Sequence, residues 1–467
     1  MTAQAYGQTA TGLLGPVSLS GALVLMVASP LMRGGNRHVA LIALEFLAVF
    51  ILAAMAAGIV RQVRKPVAFE PELIFLLASP LLIAVVQLVP LPAAWWNAFP
   101  GHHLLNEALA QADIAGRSWR PLSVSPAATA ASLLAGLPIV AALIVGYCAS
   151  IAQLRIVIGV VTTMALGESV LGLLQIAGGE FSAFYAGVLT YGAPIGTFAN
   201  RNHFANYLGM ALVGMIWLAY ESHRDGRMKE GAGTFGTRNR TVLFTAGASL
   251  LALGILMSRS RGGAIFSLPI AACAAVAITA RLVGPSAIRM AIPLLIVLLL
   301  GIVGLLGFGA ATERLTGDQL ASSASFRGLL TETTLRGAMA FLPFGSGWGT
   351  FDMAYPRFQP IELPGFANQA HMDYVQFLFE GGVLFLLAGS AFAMLVARRV
   401  RLLAVTAWQR GALHREAMAP AICGMGLLVL LLHSLVDFNM RIPANAILGA
   451  LLAGVFLRPL DEQQVAA

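Results

Sequence analysis

Charge is what this chain of 467 residues has least of. Asp, Glu, Lys and Arg together make up 11% of it, against about 25% in a typical soluble domain. Of the whole chain 58% is apolar, more than one water-facing globule can keep inside, so lipid must solvate much of the surface. Lysine is nearly absent, only Lys65 and Lys229 occurring, and every other cation is an arginine. The three cysteines, Cys148, Cys273 and Cys423, sit singly inside apolar runs. They read as small core residues, not as a disulfide framework or metal cage. No HExxH, no Cys/His pair at zinc spacing and no P-loop occurs, so neither a metal nor a cofactor is expected. The net charge of +8 comes without a basic stripe interleaved with aromatics, which leaves nucleic acid out and points to cationic anchoring at a bilayer.

What the chain does have is long apolar runs. Spanning a hydrocarbon core of about 30 Å takes about 20 such residues in a helix. Twelve candidate runs are found: Pro16–Met32, Val39–Val60, Leu73–Val89, Ala127–Ala149, Ile156–Ala177, His203–Tyr220, Thr241–Ser258, Gly262–Ala280, Ala291–Ala311, His371–Ala397, Ala417–Leu432 and Ile442–Leu457. The first sixteen residues carry no charge, so the first run reads as a retained span and not a cleaved signal. The fold class is all-α: a polytopic transmembrane helical bundle of about twelve spans, residues 1–467 forming a single membrane domain.

A cytoplasmic N-terminus puts 17 of the 29 basic residues, both lysines included, on the inner side, the arrangement that positive-inside bias selects. Two long connections then face out. Residues 91–126, opening with Trp95 and Trp96 as an interfacial aromatic anchor, form the first periplasmic loop. Residues 312–370 form the larger one, a partly helical lid that holds Arg314, Arg327, Arg336, Arg357 and a glycine-rich hinge at Gly345–Gly349.

Four polar clusters map to that outer side. Gly196–Asn206 packs Arg201, Asn202, His203 and Asn206 at the N-terminal end of a helix, where free N–H groups and the positive dipole end favour an anion. Ser258–Gly263 places Arg259 and Arg261 in a tight turn able to cradle a phosphate. Asn368–Tyr374 sets His371 and Asp373 where a span begins. His433–Pro443 holds His433 and Asp437 four residues apart, on one face if the helix continues, and ends with Arg441. Helix-end arginines can also simply snorkel to headgroups, and lone histidines are commonly structural. Yet an arginine fork grips phosphate oxygens bidentately. Beyond the cytoplasmic membrane no nucleotide is supplied, so a group-transfer donor must bring its own leaving group, which a lipid-borne pyrophosphate does. A neutral histidine can take the proton of an acceptor hydroxyl. Glu45, Glu168 and Glu380 are the clearest ionisable residues inside spans; the first two are expected to pair with outer arginines.

In order along the chain, Arg120–Pro126, Arg201–Ala205, Ser258–Gly262, Phe344–Phe351, Ala370–Tyr374 with Glu380–Gly382, and His433–Phe438 resemble the O-antigen ligase and polymerase superfamily of bacterial glycan enzymes. The resemblance implies a metal-independent, inverting glycosyltransferase of the bacterial inner membrane, multi-pass, its active site facing the periplasm. It implies an undecaprenyl-pyrophosphate-linked glycan as donor and a lipid A-core or growing glycan as acceptor, the route of lipopolysaccharide synthesis. His371 would be the base and Arg201 and Arg261 would bind pyrophosphate. Asn202, His203, Arg259, Arg327, Asp373, His433 and Asp437 would line the substrate site. Met372 follows the histidine where many relatives carry Asn or Ser, so ligase and repeat-unit polymerase both stay open. From another class, a secondary transporter or flippase would draw on Glu45, Glu168 and the span count, although paired broken helices in corresponding halves are missing.

Overall fold

The computed structural model describes residues 14–61, 69, 71–111, 118–179, 182–188, 192–228, 234–283, 319–363, 365–409, 413 and 415–459. The expected span Ala291–Ala311, and Arg314 with it, lie outside the described residues. The described residues are mostly helical: α1 (Pro16–Leu31), α2 (His38–Val60), α3 (Pro71–Leu88), α4 (Ala93–Asn97), α5 (Pro100–Gln111), α6 (Pro126–Ala135), α7 (Leu137–Cys148), α8 (Ile151–Ala177), α9 (Arg201–Met228), α10 (Thr234–Met257), α11 (Arg261–Val283), α12 (Gln319–Ala340), α13 (Phe351–Ala354), α14 (Asp373–Gln409), α15 (Arg415–His433) and α16 (Pro443–Phe456).

Among the described residues, five helical stretches are long and apolar enough to cross a membrane: α2, α6 with α7 as one run, α8, α11 and α14 to Ala407. Five shorter apolar helices accompany them: α1, α3 from Leu73, α10 from Val242, α15 from Ala417, and α16. Local chemistry sets several starts. Pro16, Pro126 and Pro443 occupy first helical positions, where the missing N–H costs nothing. Ser150 and Gln153 form a reciprocal capping box on α8.

α16 is only 14 residues long, yet every residue from Ala444 to Phe456 is buried. It is the centre of the bundle, and α7 packs against it backbone to backbone. A Cβ on Gly146 would lie 2.1 Å from the Leu451 carbonyl oxygen, and one on Gly454 would lie 2.1 Å from that of Leu143. Small residues allow this approach, which is how helices associate where lipid offers no hydrophobic drive. Arginines close the far end. Arg458 Nε donates to the Gly146 carbonyl at 2.9 Å and Arg399 Nε to that of Phe456 at 2.9 Å. Nearby, Glu221 accepts from Arg155 at 2.9 Å and pairs with Arg224 at 3.1 Å. Glu221 lies on α9 about 30 Å from Arg201 at 1.5 Å per residue, a hydrocarbon thickness away.

The two long connections meet at the Arg201 end. Residues 91–126 hold a two-stranded antiparallel sheet, β1 (Pro90–Pro92) with β2 (Trp119–Pro121), around α4 and α5. Trp95 is 67% exposed, but Trp96 is buried and donates to the Pro121 carbonyl at 2.7 Å beneath the Arg120 guanidinium. Half of the expected aromatic anchor is thus core. Arg120 belongs to the same packing, bonding Asn106 at 2.9 Å. The described part of 312–370 is α12, the glycine-rich loop and α13, gathered on a small core of Leu330, Ala338, Phe341, Phe351, Tyr355, Leu363, Ala370 and Phe379. The two connections dock on each other, since the Val124 N–H donates to the Ser346 carbonyl at 2.8 Å.

The glycine-rich loop is no hinge. α14 contains a break at Gly382 (φ 60°, ψ −142°), which turns the Phe379 and Glu380 carbonyls out of the helical ladder. They accept the N–H groups of Ser346 (2.9 Å) and Gly347 (3.1 Å), and the Gln87 amide joins at 2.6 Å. A Cβ at Gly345 would sit 2.2 Å from the Glu380 carbonyl oxygen, so the loop is clamped.

The α7–α16 contact is testable. Gly454→Leu drives a side chain into backbone that cannot move aside, and is expected to lower stability by at least the about 1–3 kcal/mol of an overpacked core. Gly389→Leu, whose added Cβ meets nothing within 4 Å, is expected to leave it unchanged. Thermal unfolding of the detergent-solubilised chain compares the two.

Candidate active site

Five helix ends converge at the capped end of the bundle: the starts of α9, α11, α14 and α16 and the end of α15. α9 begins because Asn200 caps it, its side-chain oxygen accepting the Asn202 N–H at 2.8 Å. Arg201, exposed, and Asn202 therefore occupy the first turn, with His203 and Asn206 buried behind them. α11 is capped by Ser260, whose hydroxyl accepts the Gly263 N–H at 3.1 Å, while the Ser258 hydroxyl accepts the Ser260 N–H at 3.1 Å. Serines thus satisfy two backbone donors of the expected phosphate cradle, leaving its anion-binding character to Arg259 and Arg261, both exposed. Arg259 has a φ of +55°.

The turn after α15 is the hub. His433 and Asp437 do not share a helical face, because α15 ends at His433. Instead His433 Nδ1 meets the Asn206 amide at 3.1 Å, and the ring lies against α11, where a Cβ on Gly262 would be 2.6 Å from His433 Nε2. Asp437 points the other way into a fully buried position. One carboxylate oxygen accepts the Asn202 amide at 2.5 Å. The other accepts the Phe438 N–H at 2.9 Å and lies 3.3 Å from His371 Nδ1. His203 Nε2 is 3.9 Å from it, and Phe438 contacts both imidazoles edge-on, at centroid distances of 4.5 Å and 4.8 Å.

His371 is the one histidine of this group that reaches the surface, its side chain 29% exposed while that of Asp437 is 1% exposed. Its φ of +52° is a backbone conformation that costs a non-glycine residue energy. A proton on Nδ1, held toward Asp437, leaves the Nε2 lone pair pointing away from the carboxylate, the orientation a general base requires. Asp373 is buried and works on the backbone. Its N–H donates to the Ser434 and Asp437 carbonyls (3.1 and 3.3 Å), and its carboxylate accepts the Met440 N–H at 2.8 Å. Arg327, exposed on α12, reaches the Val436 carbonyl at 3.5 Å, bringing the cap over the same turn.

Several roles differ from expectation. Glu168 pairs with the Thr197 hydroxyl and N–H, both at 2.7 Å, holding the turn before α9; its partners are not arginines. Cys273 is exposed, unlike Cys148 and Cys423. Glu380 ion-pairs with Arg441 and accepts the Gly349 N–H at 2.9 Å. Gln87 and Gln376, which tie the cap to the site, are not among the residues that sequence motifs single out; the only signal they offer is a glutamine within a largely apolar stretch, where burial obliges the amide to find partners.

Burial by itself would raise the pKa of Asp437, but the His371 contact, the imidazole charges of His203 and His371 and the Phe438 N–H outweigh it and hold the group below the ordinary carboxylate range. With the folded value depressed, the stabilisation is present above the unfolded value of about 3.9 and lost as pH falls through the folded one. Asp437→Asn is therefore expected to melt lower than wild type at pH 7, the two curves converging in strong acid. Melting temperatures between pH 7 and the acid limit of solubility measure it.

Residues 246–390 match the family described as O-antigen ligase. No curated protein matches the chain. The matched stretch contains Arg259, Arg261, Arg327, His371, Asp373 and Glu380, and it ends before the turn that carries Asp437. Those residues cluster at one end of an apolar helical bundle, and over residues 246–390 the chain is similar to the O-antigen ligase family.

Proposed function

We propose that the chain is a membrane glycosyltransferase that moves a glycan from a polyprenyl-pyrophosphate carrier to an acceptor hydroxyl on the periplasmic side, in the manner of an O-antigen ligase. The observation that carries this reading is His371, the one half-buried member of a buried cluster, with Nδ1 directed at Asp437 and Nε2 left for chemistry. In the step envisaged, His371 Nε2 takes the acceptor proton as its oxygen attacks the anomeric carbon. The bond from that carbon to the carrier oxygen breaks, and its electron pair leaves on the pyrophosphate. Inversion follows from a single displacement. Arg201 at the first turn of α9 and Arg261 at the first turn of α11 are suited to that developing charge, as positioned guanidiniums and helix N-termini are.

Asn202 and Asp437 hold the base. His203 and His433 are sealed from solvent and serve as walls rather than ligands, while Arg259 and Arg327, both exposed, are available to anionic substrate. An O-antigen or exopolysaccharide polymerase would use the same residues with a growing glycan as acceptor. Of the two carboxylates the transporter reading would draw on, Glu168 is bonded to Thr197 on both oxygens, which favours a structural role for it.

Purified chain incubated with undecaprenyl-pyrophosphate glycan and a lipid A-core acceptor is expected to yield one capped product on a gel; a ladder on the carrier would mean polymerisation, and no consumption of either lipid would end the proposal. His371→Ala is expected to slow transfer by about 10²–10⁴-fold, the usual contribution of a general base, with the protein still inserted. Arg201→Lys should impair transfer nearly as much as Arg201→Ala, because a point charge does not replace the bidentate fork; full rate with lysine would remove pyrophosphate chelation from the mechanism.

A further inference from the structure

His371 holds an unfavourable backbone conformation, so something must fix it. Its neighbours on the chain identify what does. The Ala370 N–H donates to Gln376 Oε1 at 2.9 Å. The amide of Gln376 donates back to Gln369 Oε1 at 2.7 Å and on to Glu380 Oε1 at 3.2 Å. Glu380 in turn accepts the Gly349 N–H of the cap with its other oxygen and pairs there with Arg441. Arg441 follows Met440, whose N–H is bound by Asp373, and its guanidinium lies 4.8 Å over the Phe377 ring. Gln376 and Glu380 are both 1% exposed and neither touches the imidazole.

We propose that Gln376 and Glu380 are positioning residues that hold the 369–373 backbone so that His371 faces Asp437, and that through Gly349 they make this alignment depend on a docked cap. The inference rests on His371 acting as the base, but its geometry does not. One amide bridges the residue before His371 to a carboxylate that the glycine-rich loop also grips. Undocking of the loop removes one acceptor contact from Glu380 and loosens the relay at its anchored end. The site is thus complete when loop 345–349 is seated on the broken helix α14.

The test uses the full chain in lipid nanodiscs and reads backbone hydrogen exchange in the peptide covering 369–374, alongside transfer rates. Gln376→Leu is expected to speed exchange of that peptide by about two- to tenfold, the loss of one hydrogen bond, with exchange in α9 and the melting temperature unchanged. Glu380→Gln, which keeps an acceptor for Gly349 and loses the charge facing Arg441, should move it in the same direction by less. Arg336→Ala, breaking an exposed α12 pair with Glu332, should do nothing. For transfer, Gln376→Leu should lower kcat with donor KM unchanged, and should cost nothing further in a His371→Ala background, since it acts through that residue.

Unchanged exchange at 369–374, or a loss that multiplies with His371→Ala, overturns the proposal. Faster exchange throughout the bundle does so too, because it signals general loosening. Should Gln376→Leu fail to fold, Gln376→Asn, one methylene shorter, carries the same expectation. The exchange arm needs no glycan, so absence of transfer by the wild type defeats the glycosyltransferase reading while leaving the positioning result to stand or fall separately.

Discussion

A carboxylate that is 0% exposed must be matched by donors or it unfolds its surroundings, since an unpaired buried charge is among the costliest defects a fold can carry. Asp437 sets that condition on this molecule. Its donors come from α9 through Asn202, from the start of α14 through His371, and from its own turn through Phe438. Satisfying one side chain therefore draws three segments distant in sequence to a common point. It also sorts the histidines: those packed inward, His203 and His433, are sealed, and His371 alone keeps an edge toward the surface.

The second constraint is the break in α14 at Gly382. In a lipid-embedded helix a freed carbonyl has no water to turn to, so irregular backbone survives only where protein re-satisfies it. Here the donors are Ser346, Gly347 and Gln87. The outcome is that a long connection, which would otherwise be loosely attached, is bound to the bundle near the start of α14. The glycines of this loop are explained by contact as much as by turning: at Gly345 and Gly349 a Cβ would press into the Glu380 carbonyl and the Ser132 hydroxyl respectively.

Polar groups are divided between the two ends of the bundle. At one end Arg399 and Arg458 cap terminal carbonyls of α16 and α7, and Arg155 and Arg224 neutralise Glu221. Those arginines are structural, and their forked geometry suits carbonyl capping as well as it suits phosphate. At the other end Arg201, Arg259, Arg261 and Arg327 are exposed around the Asp437 turn. The same residue type thus sits in two settings, carbonyl-capping at one end and exposed at the other, told apart by surroundings and not by sequence.

Composition alone determined the class of this protein, because scarce charge and long apolar runs leave no soluble alternative; the O-antigen ligase resemblance was likewise legible in ordered short motifs, and residues 246–390 match that family. Helix starts at Pro16, Pro126, Ser150 and Pro443 were readable as local chemistry. Tertiary structure decided the rest. The His433–Asp437 spacing suggested a shared helical face, but the helix stops at His433, and only folding showed that Asp437 answers to His371 and Asn202. Glu380 stood out as an ionisable residue inside a span, but neither it nor Gln87 and Gln376 carried a local sign of its partner, since a polar residue in an apolar run says that a partner exists without saying which. Spacing encodes contacts a few residues apart; a contact across 66 or 235 positions, like those that hold Asp437 to His371 and Asn202, is set by how helices pack.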